Sequence, residues 1–177
     1  MAVAGIFALK LFELPVKAVV FALIRLAWLL KPGLATPLYC WYLRRRGVKI
    51  EGRPNYISAK VWFDSTDYSL ISVGDGCTIS SNVRILTHDA AAGTVGAEVG
   101  AAPELLEVRI RPVAIGRNCF IGTGSLLLPG AQVGAGSIVA AGSVVRGVVP
   151  PLSIVMGSPA RISGSVPAYL QKYRKGS

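Results

Sequence analysis

The feature that most constrains this chain is a six-residue period running from Ile115 to Pro150. The stretch divides into IGRNCF, IGTGSL, LLPGAQ, VGAGSI, VAAGSV and VRGVVP. Each hexad opens on an aliphatic residue: Ile115, Ile121, Leu127, Val133, Val139 and Val145. The fifth place is small in all but the last: Cys119, Ser125, Ala131, Ser137 and Ser143, then Val149. The same register occurs upstream in ISAKVW from Ile57, VGDGCT from Val73 and ISSNVR from Ile79. A period of six fits neither the 3.6 of a helix nor the alternation of a strand. It fits a parallel β-helix in which each hexad forms one side of a triangular coil. The aliphatic residue points inward and stacks on its equivalent in the next coil. The small fifth residue fits the narrow interior beside it, and glycines permit the corners.

Around this core the chain of 177 residues divides into three parts. Residues 48–165 form the coil, with 89–112 outside any hexad as a protruding loop. Residues 166–177 form a short C-terminal helix and tail. Residues 1–47 form a hydrophobic, amphipathic helical segment. A loop as long as 89–112 is functional or disordered, and the reading preferred is a lid on the acceptor side of a site.

More than half of the chain is hydrophobic, with a mean hydropathy of +0.52. That excess requires burial in a core, an oligomer or lipid. The charge is uneven: nine Lys and Arg against Glu13 and Glu51 leave +7 of the total +10 in residues 1–53. A positive pole beside apolar sequence points to anionic lipid rather than nucleic acid, for which no motif is present. At 100° per residue, Lys10, Glu13, Lys17, Arg25 and Lys31 share one face of the N-terminal helices. A membrane-spanning helix has about 20 apolar residues without such a stripe. The pattern therefore predicts helices lying in the membrane interface, divided at Pro15. Tyr39, Trp41 and Tyr42 followed by Arg44, Arg45 and Arg46 suit a cytoplasmic headgroup layer. The alternative is a helical cap on the coil or in an oligomer interface. No basic n-region or A-x-A site marks a cleavable signal peptide.

Cys40, Cys77 and Cys119 are far apart and form no CxxC pair, which reads as three reduced, buried thiols. With one histidine, His88, no metal site is expected.

ILTHD (85–89), PVAIGRNCFIGTGSLLLPG (112–130) and AGSVVRGVVPPLSIVMGSPAR (141–161) resemble the hexapeptide acyltransferases, nearest to sugar O-acetyltransferases of the maltose/galactoside and capsule-modifying type. The resemblance covers residues 48–165. It implies an all-β, left-handed parallel β-helix, a homotrimer with active sites between neighbouring prisms, and acetyl-CoA as co-substrate. It also implies a sugar or lipid-linked saccharide acceptor and identifies His88 as general base. An imidazole suits that role because its unperturbed pKa of about 6.5 lies near working pH. No Ser–His–Asp order or reactive-Cys context calls for a covalent intermediate.

The same resemblance assigns acceptor contacts to Asp67 and Asp89, with Asp64 a rival, and solvated corner residues are the alternative for all three. It places Thr123 and Ala141, one 18-residue coil apart, along the pantetheine arm. Where the family has Thr-Lys after GSVV, this chain has Arg146-Gly147, so Arg146 is the candidate for the displaced phosphate contact. Arg161, in SPAR, matches a basic residue at the nucleotide end, where a planar guanidinium can donate two hydrogen bonds at once. The other readings weighed are transfer to an amino-sugar nitrogen, a longer acyl group such as succinyl, and a non-catalytic scaffold. The single histidine opposes a γ-type carbonic anhydrase. A serine acetyltransferase would need a longer helical N-terminal domain, and a nucleotidyltransferase a further nucleotide-binding domain.

Overall fold

The structure, a computed structural model, describes residues 18–20, 22–27, 29, 34–64 and 67–175. Residues 18–20, 22–27 and 29 are helical, followed by α1 (Ala35–Arg45). The chain then winds through short strands, three to a coil. The first coil holds β1 (Lys49–Ile50), β2 (Tyr56–Ile57) and β3 (Trp62–Phe63). The second holds β4 (Ile71–Val73), β5 (Thr78–Ile79) and β6 (Arg84–Ile85). An excursion follows: β7 (His88–Asp89), α2 (Ala91–Val95), 3-10 turns at Gly96–Val99 and Pro103–Leu105, then β8 (Arg109–Ile110). The coil resumes with β9 (Val113–Ile115), β10 (Phe120–Ile121) and β11 (Leu126–Leu127), then β12 (Gln132–Val133), β13 (Ile138–Val139) and β14 (Val144–Val145). A last, partial coil has β15 (Val148–Val149) and β16 (Ser153–Gly157); β17 (Ala160–Ser165) folds back on β16, and α3 (Val166–Lys175) follows.

Every third strand pairs in parallel, giving three faces. They run β1-β4-β9-β12-β15, β2-β5-β10-β13-β16 and β3-β6-β11-β14. Among the described residues, only the terminal β16–β17 pair and the β7–β8 pair are antiparallel. In register, Phe120 lies against Ile138 and Leu126 against Val144, 18 residues on. The hexads therefore mark the three sides of a parallel β-helix.

The reason for the period is visible in the interior. The first-place residues Ile57, Val73, Ile79, Ile115, Ile121, Leu127, Val133, Val139 and Val145 are all buried. So are Cys77, Val83, Cys119, Ser125, Ala131, Ser137 and Ser143 at the fifth place. Many fifth-place groups also donate to a corner carbonyl of the following coil. Cys119 Sγ reaches Gly134 O, Ser125 Oγ reaches Ala140 O and Ser137 Oγ reaches Pro150 O. Cys77 Sγ reaches Gly116 O in the same way. Corner carbonyls turned inward would otherwise be buried without partners. The fifth place is thus small because the corner is tight and often a donor because the corner needs one. The fourth place carries the left-handed backbone: Gly76, Asn82, Asn118, Gly124, Gly130, Gly136 and Gly142 all have positive φ. Glycine adopts it freely and asparagine with little cost.

The open end of the first coil is closed by helix. Tyr39, Cys40 and Leu43 of α1 join Val48, Ile50, Ile57 and Phe63 in one buried cluster with Val20 and Ile24. Tyr39 packs edge-on against Phe63, with ring centroids 6.5 Å apart. This corrects the reading of Tyr39 as an interfacial aromatic: it is core, and burial pushes its phenol pKa up. The arginine cluster is divided as well. Arg44 donates to Ile50 O and Gly52 O, and Arg46 lies over Tyr68, while Arg45 lies over the exposed Trp41. Pro15, Lys10, Glu13, Lys17 and Lys31 lie outside the described residues. Among the described residues no helix is long and apolar enough to cross a membrane.

Candidate active site

The corners of the prism are not alike, and the irregular one carries the candidate base His88. Between the third face and the first, Trp62 to Ser72 takes ten residues and Arg84 to Ala114 takes thirty. The next coil crosses the same corner from Leu126 to Gln132 in six. Both surplus stretches leave neighbouring coils at the same place, because Phe63 and Ile85 are register partners. Asp64 follows Phe63, and Thr87 and His88 follow Ile85 within three residues, so stacking alone brings them together.

The resulting geometry is specific. Asp64 is 2% exposed, and one of its carboxylate oxygens gathers three polar contacts. Its Oδ2 accepts from Thr87 N at 2.9 Å and Thr87 Oγ1 at 2.9 Å. The same oxygen lies 2.5 Å from His88 Nδ1. With Asp64 ionised, Oδ2 accepts from all three groups and the imidazole proton sits on Nδ1. His88 keeps 40% of its side chain accessible, against 3% for Asp64. The arrangement is a reachable imidazole whose orientation and tautomer are set from below by a buried acid.

His88 sits at the base of the excursion. Its strand pairs with β8, His88 opposite Ile110 and Asp89 opposite Arg109. Arg111 N donates to Thr87 O at 2.8 Å and returns the chain to the prism. Strand alternation turns Asp89 to the opposite side of this ribbon from His88. There Asp89 Oδ1 accepts from Ala91 N and starts α2. The expectation of an irregular loop over 89–112 is amended: two-strand pairing closes its base, and short helical turns fill it. The ribbon supplies the backbone partners that a bare loop would lack.

The other sequence-predicted residues are spread over the molecule. Asp67 is exposed and caps the turn Tyr68–Leu70, accepting from Ser69 N at 2.8 Å. That bond holds its carboxyl below the ordinary carboxylate range. Thr123 and Ala141 stack at the corner between the second and third faces, where Gly142 N donates to Thr123 O. Close stacking there leaves no room for a side chain on Gly122, whose Cβ would come within 2.4 Å of Ala141 N. Arg146 is exposed on the His88 corner, in the turn between β14 and β15. Arg161 is exposed on β17 opposite Met156. Within one chain, therefore, His88 and the Thr123–Ala141 edge occupy two different corners with the third face between them. A groove of about 350 Å³ lies at the remaining corner, lined by Glu51, Gly74, Gly116, Arg117, Gly134 and Pro151 among others. Among the described residues no cluster of His, Cys, Asp or Glu could hold a metal ion.

Sequence reasoning ranked Asp64 only as a rival for acceptor contact and did not pair it with His88. The signal available was positional: WFD and RILTH leave the same face at the same corner, one coil apart.

Comparison with known proteins agrees with this architecture. The profile described as "Bacterial transferase hexapeptide (six repeats)" matches residues 112–147. A Vibrio cholerae hexapeptide-repeat acetyltransferase, solved in complex with acetyl coenzyme A, superposes with a TM-score of 0.58 at 27% identity, covering 68% of this chain and 61% of its own. YvoF of Bacillus subtilis, whose name carries a provisional acetyltransferase assignment, is 32% identical over 73% of this chain and 66% of its own length. The chain spans 43% of a Schizosaccharomyces pombe relative named in the same way. Protein CapG of Staphylococcus aureus is 37% identical over 131 residues, 73% of each chain. Since that likeness runs well beyond the repeats themselves, and the repeats wind as the coil requires, the chain belongs to the hexapeptide-repeat transferase family.

Proposed function

We propose that this protein is an acyl-CoA-dependent acyltransferase that moves an acetyl group from acetyl-CoA to a sugar hydroxyl, with His88 as general base. The observation that carries the proposal is the His88–Asp64 pair: an accessible imidazole held at Nδ1 by a buried carboxylate. With the proton on Nδ1, Nε2 is the basic atom. It takes the proton from the acceptor hydroxyl as that oxygen attacks the thioester carbonyl. The tetrahedral intermediate collapses with C–S cleavage, and the proton on Nε2 passes to the departing thiolate. A C–O bond replaces a C–S bond, and no covalent enzyme species forms. Asp64 is a positioning residue whose negative charge also stabilises the imidazolium formed in the middle of the reaction.

The donor reading rests on Thr123 and Ala141, with Arg146 and Arg161 as its phosphate contacts, and on the acetyl-CoA held by the Vibrio relative. Because base and donor edge lie on different corners of one prism, a donor on one copy would meet the base of another. This supports a homotrimer, as do the outward apolar residues Tyr56, Phe120 and Trp62 on the two faces flanking the donor edge. Asp67 remains the acceptor contact of this proposal, with the 90–108 excursion as the acceptor-side wall. Asp89, turned to the other side of the ribbon from His88, drops out of it. The acceptor is a lipid-linked or surface-polysaccharide precursor at the cytoplasmic face of the membrane, a reading supported by the charge of +7 in residues 1–53.

The test is thiol release from acetyl-CoA by the detergent-purified full chain and its His88→Ala variant, across free and lipid-linked sugars. Acceptor-dependent release should fall by about 10²–10⁴-fold in the variant, with unchanged circular dichroism because the imidazole is half-exposed. Equal release from both proteins would remove His88 as the base, and no release with any acceptor would remove the transferase.

A further inference from the structure

The helical cap has two apolar sides, and only one of them is used by the coil. Among the helical residues 18–20, 22–27 and 29, Val20 and Ile24 are buried in the core cluster. At 100° per residue, Val19, Leu23, Leu26 and Leu29 form a second stripe beside the buried one. Their exposures are 59%, 48%, 50% and 78%. In α1 the buried side is Ala35, Thr36, Tyr39, Cys40 and Leu43. The opposite side carries Leu34, half-buried Leu38 and Trp41, with Leu34 and Trp41 each more than half exposed. It ends in Arg45, whose guanidinium lies 5.3 Å from the Trp41 ring centroid. Two helices thus turn one side to the protein and leave a large apolar surface outward, more than a lone exposed leucine would imply.

The charge around this surface selects its occupant. Residues 18–48 contain Arg25, Lys31, Arg44, Arg45 and Arg46 and no Asp or Glu. A second copy docked on the same surface would bring like charges together. Anionic headgroups would pair with them, while the leucine stripes and the indole enter the acyl boundary. A tryptophan with an arginine over its ring suits that boundary, where one end of the side chain is dry and the other wet.

We propose that the outward side of these two helices, Val19–Leu23–Leu26–Leu29 together with Leu34–Leu38–Trp41–Arg45, docks flat on an anionic lipid bilayer, with the first coil nearest the membrane. This assigns a surface and an orientation to the membrane reading above, on which it rests. The cap packs on the first coil, and His88 leaves the second. The base therefore stands one strand spacing, about 5 Å, beyond the first coil. An acceptor held at headgroup height would meet the base without leaving the membrane, whereas the terminal β16–β17 hairpin points away from it.

The experiment is co-flotation of the full chain with vesicles of phosphatidylcholine alone or with added phosphatidylglycerol. Wild type is compared with Leu23→Glu/Leu26→Glu, with Arg45→Glu, and with Val148→Glu, a control on the exposed first face of the last coil, away from the cap. Wild type and the control should float with the anionic vesicles. The double variant should bind at least tenfold more weakly. Arg45→Glu should lose binding chiefly to the anionic vesicles, with thermal melting of each protein confirming the fold. Wild type that stays unbound at every composition, or a double variant that floats as well as wild type, would overturn the proposal. So would a double variant that binds normally but loses a self-associated species on light scattering, since the surface would then belong to a second copy. Flotation reads binding without any acyl transfer. A chain that floats but releases no thiol would sink the proposed activity and leave this surface standing.

Discussion

Two corners of the same prism show how this fold separates architecture from chemistry. From the second face to the third, the chain takes six residues in every coil: Tyr56 to Trp62, Thr78 to Arg84, Phe120 to Leu126 and Ile138 to Val144. From the third face to the first it takes ten, thirty, six and then four, the last from Val144 to Val148. Both corners must return the chain to the same hydrogen-bonded register, because each inward side chain has to land on its equivalent. A surplus is tolerated wherever the strands on either side are held by their neighbours, since the closure cost of a loop grows only slowly with its length. At the regular corner the backbone is pressed against the next coil, and Gly122 has no room for a side chain. At the irregular corner the surplus leaves the prism and carries Asp64, Thr87 and His88. The regular corner makes the scaffold, and its strictness lets the other corner vary.

Three substitutions would sharpen or break this contrast, beyond His88→Ala. The largest effect is expected from Asp64→Asn. Loss of a charge-assisted hydrogen bond worth about 1.5–3 kcal/mol should lower kcat by roughly 10- to 100-fold. Acceptor KM should change little, because Asp64 lies beneath the imidazole and is not at the surface. A KM effect with kcat preserved would show that Asp64 contacts the acceptor. Next is Gly122→Ala at the regular corner. Its Cβ would stand 2.4 Å from a backbone nitrogen, so the coils must part, at a cost of about 1–3 kcal/mol. Denaturant melts should show this loss, and an unchanged midpoint would mean that this corner is as forgiving as the other. The smallest effect concerns Leu152, which holds positive φ at the place where earlier coils have Gly or Asn. Leu152→Asn should raise stability by up to about 1 kcal/mol, since the left-handed backbone costs a leucine about 1–2 kcal/mol and the lost contact with Gly136 is small. A destabilised variant would show that the Leu152 side chain secures the shortened last coil.

Much of the fold was legible because its cause is local and repeated. Ile115, Ile121 and Leu127 recur at fixed spacing, and each repeat poses the same packing problem with the same answer. His88 stood out as the candidate base through its setting in ILTHD, and the 18-residue spacing of Thr123 and Ala141 was enough to stack them. The partnership of Asp64 with His88 was not legible, since the residues are separated by 24 positions that include a turn outside the hexads. It depends on which corner each surplus leaves. The basic and aromatic cluster from Tyr39 to Arg46 was legible only in part, since Tyr39 and Arg44 turn to the first coil and Trp41 and Arg45 turn outward. Composition shows what a helix carries but not which side of it the first coil covers.

What the sequence by itself determined is the coil: the hexad period, the inward columns, the small fifth place and the left-handed fourth. These follow from contacts between equivalent positions one turn apart, and a repeat written in the chain suffices to specify them. What only the tertiary structure decided is the corner where Asp64 meets His88 and the outward side of the cap. Both arise where non-repeating residues from distant segments are brought together. Stacking, rather than any local propensity, sets which of them meet.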